Sequence, residues 1–100
     1  MKRITIIGTG YVGLVNGAGI SEFGHHVTCC DIDRDKIKEL KSGHIPIYER
    51  GLESLVKQNV TKGRLYFSWD VHKAIQDSEI IFIAVGTPQG NDGKSDLGAV

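Results

Sequence analysis

The 100-residue sequence is poor in cysteine, proline and long apolar runs, and it carries no excess of either charge. Its two cysteines, Cys29 and Cys30, are adjacent, so they cannot form the disulfide framework on which small secreted domains depend. The longest wholly apolar run, Ile80 to Val85, has six residues. A membrane helix needs about 20, so a membrane partner is not expected. Met1-Lys2-Arg3 leads directly into a strand-like run, without the apolar core or small-residue cleavage site of a signal peptide. A cytoplasmic setting is therefore expected. Twelve Lys and Arg balance twelve Asp and Glu, which argues against a nucleic-acid binder, since these show a basic surplus. What the sequence has in plenty is glycine, 13 residues where about seven per hundred is usual.

Short apolar runs alternate with segments of helical period. Ile4-Thr5-Ile6-Ile7 reads as a strand, and Val12, Val15, Ala18 and Gly19 recur at helical spacing between Tyr11 and Phe23, with Gly24 as a stop. Val27 to Cys30 is a second strand. Asp33 reads as the N-cap of a helix whose stripe is Ile37 and Leu40 and whose end is Gly43. Leu52, Leu55 and Val56 mark a further short helix ending near Gly63. Leu65 to Ser68 is a third strand, Asp70 caps a helix through Gln76, and Ile80 to Val85 is a fourth strand. Strands alternating with helices predict an α/β fold with a Rossmann-like doubly wound parallel sheet, truncated after the fourth strand. The run Ile80 to Val85 is apolar at every position, the pattern of a central strand covered on both faces. Nothing up to Val100 supplies that cover, so the chain is expected to be the N-terminal part of a larger domain.

Gly8-Thr9-Gly10-Tyr11-Val12-Gly13 matches G-x-G-x-x-G between a strand and a helix. In that setting Gly8 permits the tight turn, Gly10 lets a pyrophosphate approach the backbone, and Gly13 lets the helix pack close to the strand. Amides at the helix N-terminus would receive the phosphates, with Tyr11 and Val12 contributing backbone. Asp31 stands 23 positions beyond Gly8 at the end of the second strand. A carboxylate there accepts the ribose hydroxyls and repels a 2′-phosphate, which favours NAD over NADP. Arg34, just past it, is the residue that could argue the other way.

Other clusters have plainer readings. His25, His26, Cys29 and Cys30 lack the spacing of metal ligands, and neighbouring strand residues point to opposite faces, so no metal is expected. The segment Pro46-Ile47-Tyr48-Glu49 is either a connection or a functional loop. Gly86-Thr87-Pro88 follows the fourth strand at the carboxyl edge, where ligands of open α/β sheets lie, and Thr87 offers a hydroxyl.

Taken together, Ile6 to Leu14, Asp31-Ile32-Asp33, Pro46 to Glu49, Gly51-Leu52 and Val85 to Pro88 with Asp96-Leu97 resemble the N-terminal part of the UDP-glucose/GDP-mannose dehydrogenase family, in family order over nearly the whole chain. The resemblance implies an NAD-dependent oxidoreductase acting on a nucleotide sugar. Such enzymes oxidise a primary alcohol to a carboxylate in two hydride transfers, through a thioester on a cysteine. It implies that Gly8, Gly10, Tyr11 and Val12 line the pyrophosphate, with Gly13 also among the cofactor-binding residues, and that Asp31 and Lys36 hold the adenosine ribose. Val85, Gly86, Thr87 and Pro88 would flank the cofactor further along. The family's catalytic cysteine and lysine lie beyond position 100, so no catalytic residue is assigned and this chain alone is expected to be inactive. A homo-oligomer is also expected. Arg50 stands where the family usually has proline. Two other readings start from the same glycine turn: a non-catalytic NAD-sensing regulatory module, and an NAD-dependent dehydrogenase for another substrate. The Pro46 and Gly86 segments weigh against the regulatory module, and less strongly against another substrate.

Overall fold

A computed structural model describes residues 2–45 and 50–84. The β-branched run near the N-terminus forms β1 (Arg3–Ile7), followed by α1 (Tyr11–Glu22), β2 (His26–Cys30), α2 (Arg34–Lys41), α3 (Leu52–Thr61), β3 (Leu65–Ser68), α4 (Val71–Gln76) and β4 (Ile80–Ile83). The strands form one parallel sheet in the order β3-β2-β1-β4. The chain thus steps outward from β1 to β3 and then returns to the other side of β1. That reversal is the topological switch point at which ligands of open α/β sheets bind.

Alternation along the strands divides the sheet into two unlike faces. Ile4, Ile6, Val27, Cys29, Leu65 and Phe67 are buried in one core with Leu14, Ala18, Ile37, Leu40, Leu52 and Val56. Helices α1 and α3 pack against each other on this side. The opposite face carries Thr5, whose hydroxyl donates to the Ala74 carbonyl of α4 at 3.0 Å. A fully buried Asn59 ties the apolar side together. Its amide donates to Glu22 of α1 and to the Leu55 carbonyl, each at 3.0 Å, and its oxygen accepts from Arg64 at 3.1 and 3.3 Å. All four of its bonding positions are thereby used.

One expectation is corrected in part. The buried residues of α1 are Gly13, Leu14, Gly17, Ala18 and Ser21; of the row Val12, Val15, Ala18 and Gly19, only Ala18 is fully buried and Val15 packs partly against the core. Val12 is half exposed, and Phe23 lies past the helix as its cap residue. Close approach to the sheet explains the difference, because it selects small side chains over apolar ones. A β-carbon on Gly17 would sit 2.5 Å from the Cys29 sulfur. Strand β4 has no cover among the described residues, in line with the expectation that this chain does not supply it. It pairs with β1 alone, and its four residues are exposed, Ile83 most of all. The reading of Ile80 to Val85 as a strand holds for Ile80–Ile83. Val85 and everything after it, with Gly86, Thr87 and Pro88, lie outside the described residues, as do Pro46 to Glu49.

Candidate functional site

The parallel register sets Ile7 opposite Cys30, so the turns leaving β1 and β2 emerge side by side. The Gly8 amide continues the ladder, donating to the Cys30 carbonyl at 2.7 Å. Gly8 itself has a φ of 113°, a backbone that side-chain-bearing residues rarely adopt. The turn therefore depends on glycine at its first position. Helix α1 opens immediately afterwards with Gly10 as N-cap, and its first bond runs from the Leu14 amide to the Gly10 carbonyl at 2.9 Å. Gly10 has no side chain to cap this end, and no acidic residue lies in its first turn. The positive end of the helix dipole favours an anion there.

The two other glycines of the turn differ sharply. A β-carbon on Gly13 would lie 2.0 Å from the Gly8 carbonyl oxygen, so helix and turn are in backbone contact there. A β-carbon on Gly10 would meet no described residue within 4 Å. Among the described residues Gly10 thus borders open space beside the N-terminus of α1. Tyr11 and Val12 are about half exposed, consistent with positions that contribute backbone.

Asp31 lies at the tip of β2 and is held from several directions. Its Oδ2 accepts from the Thr9 hydroxyl at 2.8 Å and the Thr9 amide at 3.2 Å. Its Oδ1 accepts from the Asp33 amide at 3.0 Å, and the Lys36 ammonium stands 3.8 Å from Oδ2. Burial acts to raise the Asp31 carboxyl. The amide of Asp33, the hydroxyl and amide of Thr9, and the Lys36 charge outweigh it and keep the group below the usual aspartate value. Asp31 is thus a fixed anion with acceptor capacity left on Oδ1. Gly8, Gly10, Tyr11, Val12 and Gly13 thus lie in one turn and helix start, which Thr9 ties to Asp31, with Lys36 beside that carboxylate.

Thr9 is the residue that sequence reasoning missed. It occupies a variable position of the glycine motif, is almost fully buried, and joins the first turn to Asp31. A hydroxyl between two glycines, ahead of a strand-end carboxylate, was the available signal. Asp33 caps α2 as expected, accepting from the amides of Asp35 and Lys36 at 3.1 and 3.2 Å. Asp31 also takes part in that turn, so the two aspartates share the structural role. The cysteines are buried on β2 and removed from the site chemistry. Burial, aided by Cys30, pushes the Cys29 thiol up to about 12, and burial with the carboxylates of Asp70 and Asp31 pushes Cys30 up to about 11. An open groove of about 510 Å³ lies elsewhere, lined by residues including His26, Thr28, Tyr66, Asp70 and Lys73. It contains none of the residues of the glycine turn.

A glycine turn from a central parallel strand into a helix, with a fixed carboxylate on the neighbouring strand, defines a dinucleotide-binding domain of Rossmann type. Residues 2–100 match the sequence profile of the UDP-glucose/GDP-mannose dehydrogenase family, NAD binding domain. The chain is 57% identical over 97 residues to UDP-glucose 6-dehydrogenase TuaD of Bacillus subtilis, covering 97% of this chain and 21% of that protein. The fold superimposes on a UDP-glucose dehydrogenase from Pyrobaculum islandicum with a TM-score of 0.85 at 36% identity, over 93% of this chain and 22% of the other. It superimposes on a GDP-mannose dehydrogenase from Pseudomonas aeruginosa with a TM-score of 0.84 at 44% identity, over 91% and 21%. The chain belongs to the UDP-glucose/GDP-mannose dehydrogenase family, within its NAD-binding domain, and NAD is the cofactor of that domain. It spans about a fifth of the length of the relatives named here.

Proposed function

We propose that this chain is the cofactor-binding front part of an NAD-dependent UDP-glucose 6-dehydrogenase. The intact protein would oxidise the C6 alcohol of UDP-glucose to the carboxylate of UDP-glucuronate, consuming two NAD and one water. The observation that carries the cofactor half of this reading is the space that the described residues leave at Gly10 beside the N-terminus of α1. NAD accepts the hydride when bound. This chain's residues bind and orient it. The amides of the α1 first turn receive the pyrophosphate, Gly8 and Gly13 set the turn, and the Asp31 carboxylate accepts the ribose hydroxyls beside Lys36. Val85, Gly86, Thr87 and Pro88 flank the cofactor further along. The Asp31 charge favours NAD over NADP. The catalytic groups are supplied by sequence beyond this segment, and the assembly is a cytoplasmic homo-oligomer.

The choice of UDP-glucose rests on the high identity to the Bacillus enzyme. The similarity to a GDP-mannose dehydrogenase, higher in identity than that to the Pyrobaculum structure, supports a second reading with GDP-mannose as substrate. NADH release by the intact protein, followed at 340 nm with UDP-glucose, GDP-mannose and a UDP-N-acetyl sugar in parallel, separates the two. Two NADH per UDP-glucose consumed, with slow turnover of the others, supports the proposal. Preferential turnover of GDP-mannose replaces it, and NADH binding without turnover of any sugar favours a regulatory module.

A further inference from the structure

Asp31 and Arg34 begin three residues apart and diverge across the sheet. Asp31 turns toward β1, where Thr9 donates to it twice. Arg34, the first residue of α2, turns the other way. Its guanidinium lies over the indole of Trp69, 5.4 Å from the ring centroid, just past the end of the outer strand β3. Lys41, at the far end of α2, places its ammonium 5.0 Å from the same centroid. Trp69 is partly buried and packed against the main core, so the ring is a fixed platform rather than a swinging surface group. Among the described residues, the one cation within ion-pair reach of Asp31 is Lys36.

An arginine just beyond the second strand is the usual means of accepting an adenosine 2′-phosphate. We propose that Trp69 is a positioning residue for cofactor choice: its indole holds the Arg34 guanidinium on the β3 side and withholds it from the 2′ position beside Asp31. The inference rests on the NAD reading given above. It adds a second device to the Asp31 charge. The carboxylate repels the extra phosphate, and the aromatic platform removes the nearby group that would attract it.

The test is calorimetric titration of the intact protein with NADH and with NADPH. Trp69→Leu keeps a smaller apolar side chain against the core and removes the cation–π contact, which at an exposed site corresponds to about a two- to five-fold effect. The NADPH-to-NADH dissociation-constant ratio should fall by that factor. Arg34→Ala alone should leave the ratio near the wild-type value, and Trp69→Leu combined with Arg34→Ala should return it there. Trp69→Phe, which retains an aromatic face, should stay close to wild type; if the leucine variant folds poorly, Trp69→Met, which also lacks an aromatic face, replaces it with the same expected fall. An unchanged ratio in Trp69→Leu overturns the inference while leaving the NAD reading intact, and so does a shift that survives removal of Arg34. Equal affinity of the wild type for the two dinucleotides removes both.

Discussion

Gly10 and Gly13 lie three residues apart in one turn, yet the same substitution should damage different properties at each. At Gly13, alanine is intrinsically better in a helix by about 0.8–1 kcal/mol, so propensity alone predicts stabilisation. Against that, the new β-carbon would stand 2.0 Å from the Gly8 carbonyl oxygen and 3.0 Å from its carbon. Both are backbone atoms, and no rotamer change relieves them. Helix α1 would have to lift by more than an ångström from a turn pinned by the bond between the Gly8 amide and Cys30. Overpacking of a rigid site costs about 1–3 kcal/mol and sometimes more. Gly13→Ala should therefore be destabilising on balance, with a thermal midpoint lower by roughly 5–15 °C. At Gly10, the β-carbon meets none of the described residues, and the loss is at most about 1 kcal/mol for a poorer N-cap. The same methyl fills the proposed pyrophosphate cradle, and NADH affinity should fall about ten-fold or more, equivalent to roughly 1.4 kcal/mol. Thermal denaturation paired with NADH titration measures both. A Gly13→Ala protein as stable as the wild type would refute the close approach, and a Gly10→Ala protein with undiminished NADH affinity would refute the cradle.

Two further predictions concern groups on and beside the site. Because the folded protein holds the Asp31 carboxyl below its ordinary value, its contribution is fully present above that ordinary value and is lost as pH falls through the depressed one. Thr9→Val, which deletes the 2.8 Å bond, should cost about 1–2 kcal/mol at neutral pH, and that gap should shrink on acidification; a gap independent of pH would mean that the hydroxyl does not act through the carboxylate. Burial keeps Cys29 and Cys30 protonated, so neither thiol should react with a disulfide reagent at mildly alkaline pH until guanidinium unfolds the protein. Rapid labelling of the native state would contradict the packing of β2.

The parts of the fold readable from the sequence are those with local causes. The β-branched runs, Asp33 and Asp70 as caps, and Gly24, Gly43 and Gly63 as helix stops each follow from the conformational preference of a residue and its nearest neighbours. All three stop glycines have positive φ, and both caps accept amide bonds at their helix ends. Helix α1 was legible as a helix but not in its orientation. Its packed side is chosen by distance to β2, and a row of Gly and Ala has no hydrophobic signature. Asn59 was equally hidden, because a buried amide satisfied by α1, α3 and Arg64 just before β3 looks like any polar residue on a helix until those partners converge.

For the candidate site, the order of residues along the chain already determined the glycine turn, the helix that follows it and the carboxylate one strand later. Each is a backbone requirement or a charge at a set distance, and such requirements are written locally. Tertiary structure alone decided that Asp31 would be held by Thr9, that Arg34 would turn to Trp69, and that β4 would pair with β1. Those outcomes depend on which parallel strands are neighbours. Residues 22, 35 and 76 positions apart met only when the sheet took the order β3-β2-β1-β4.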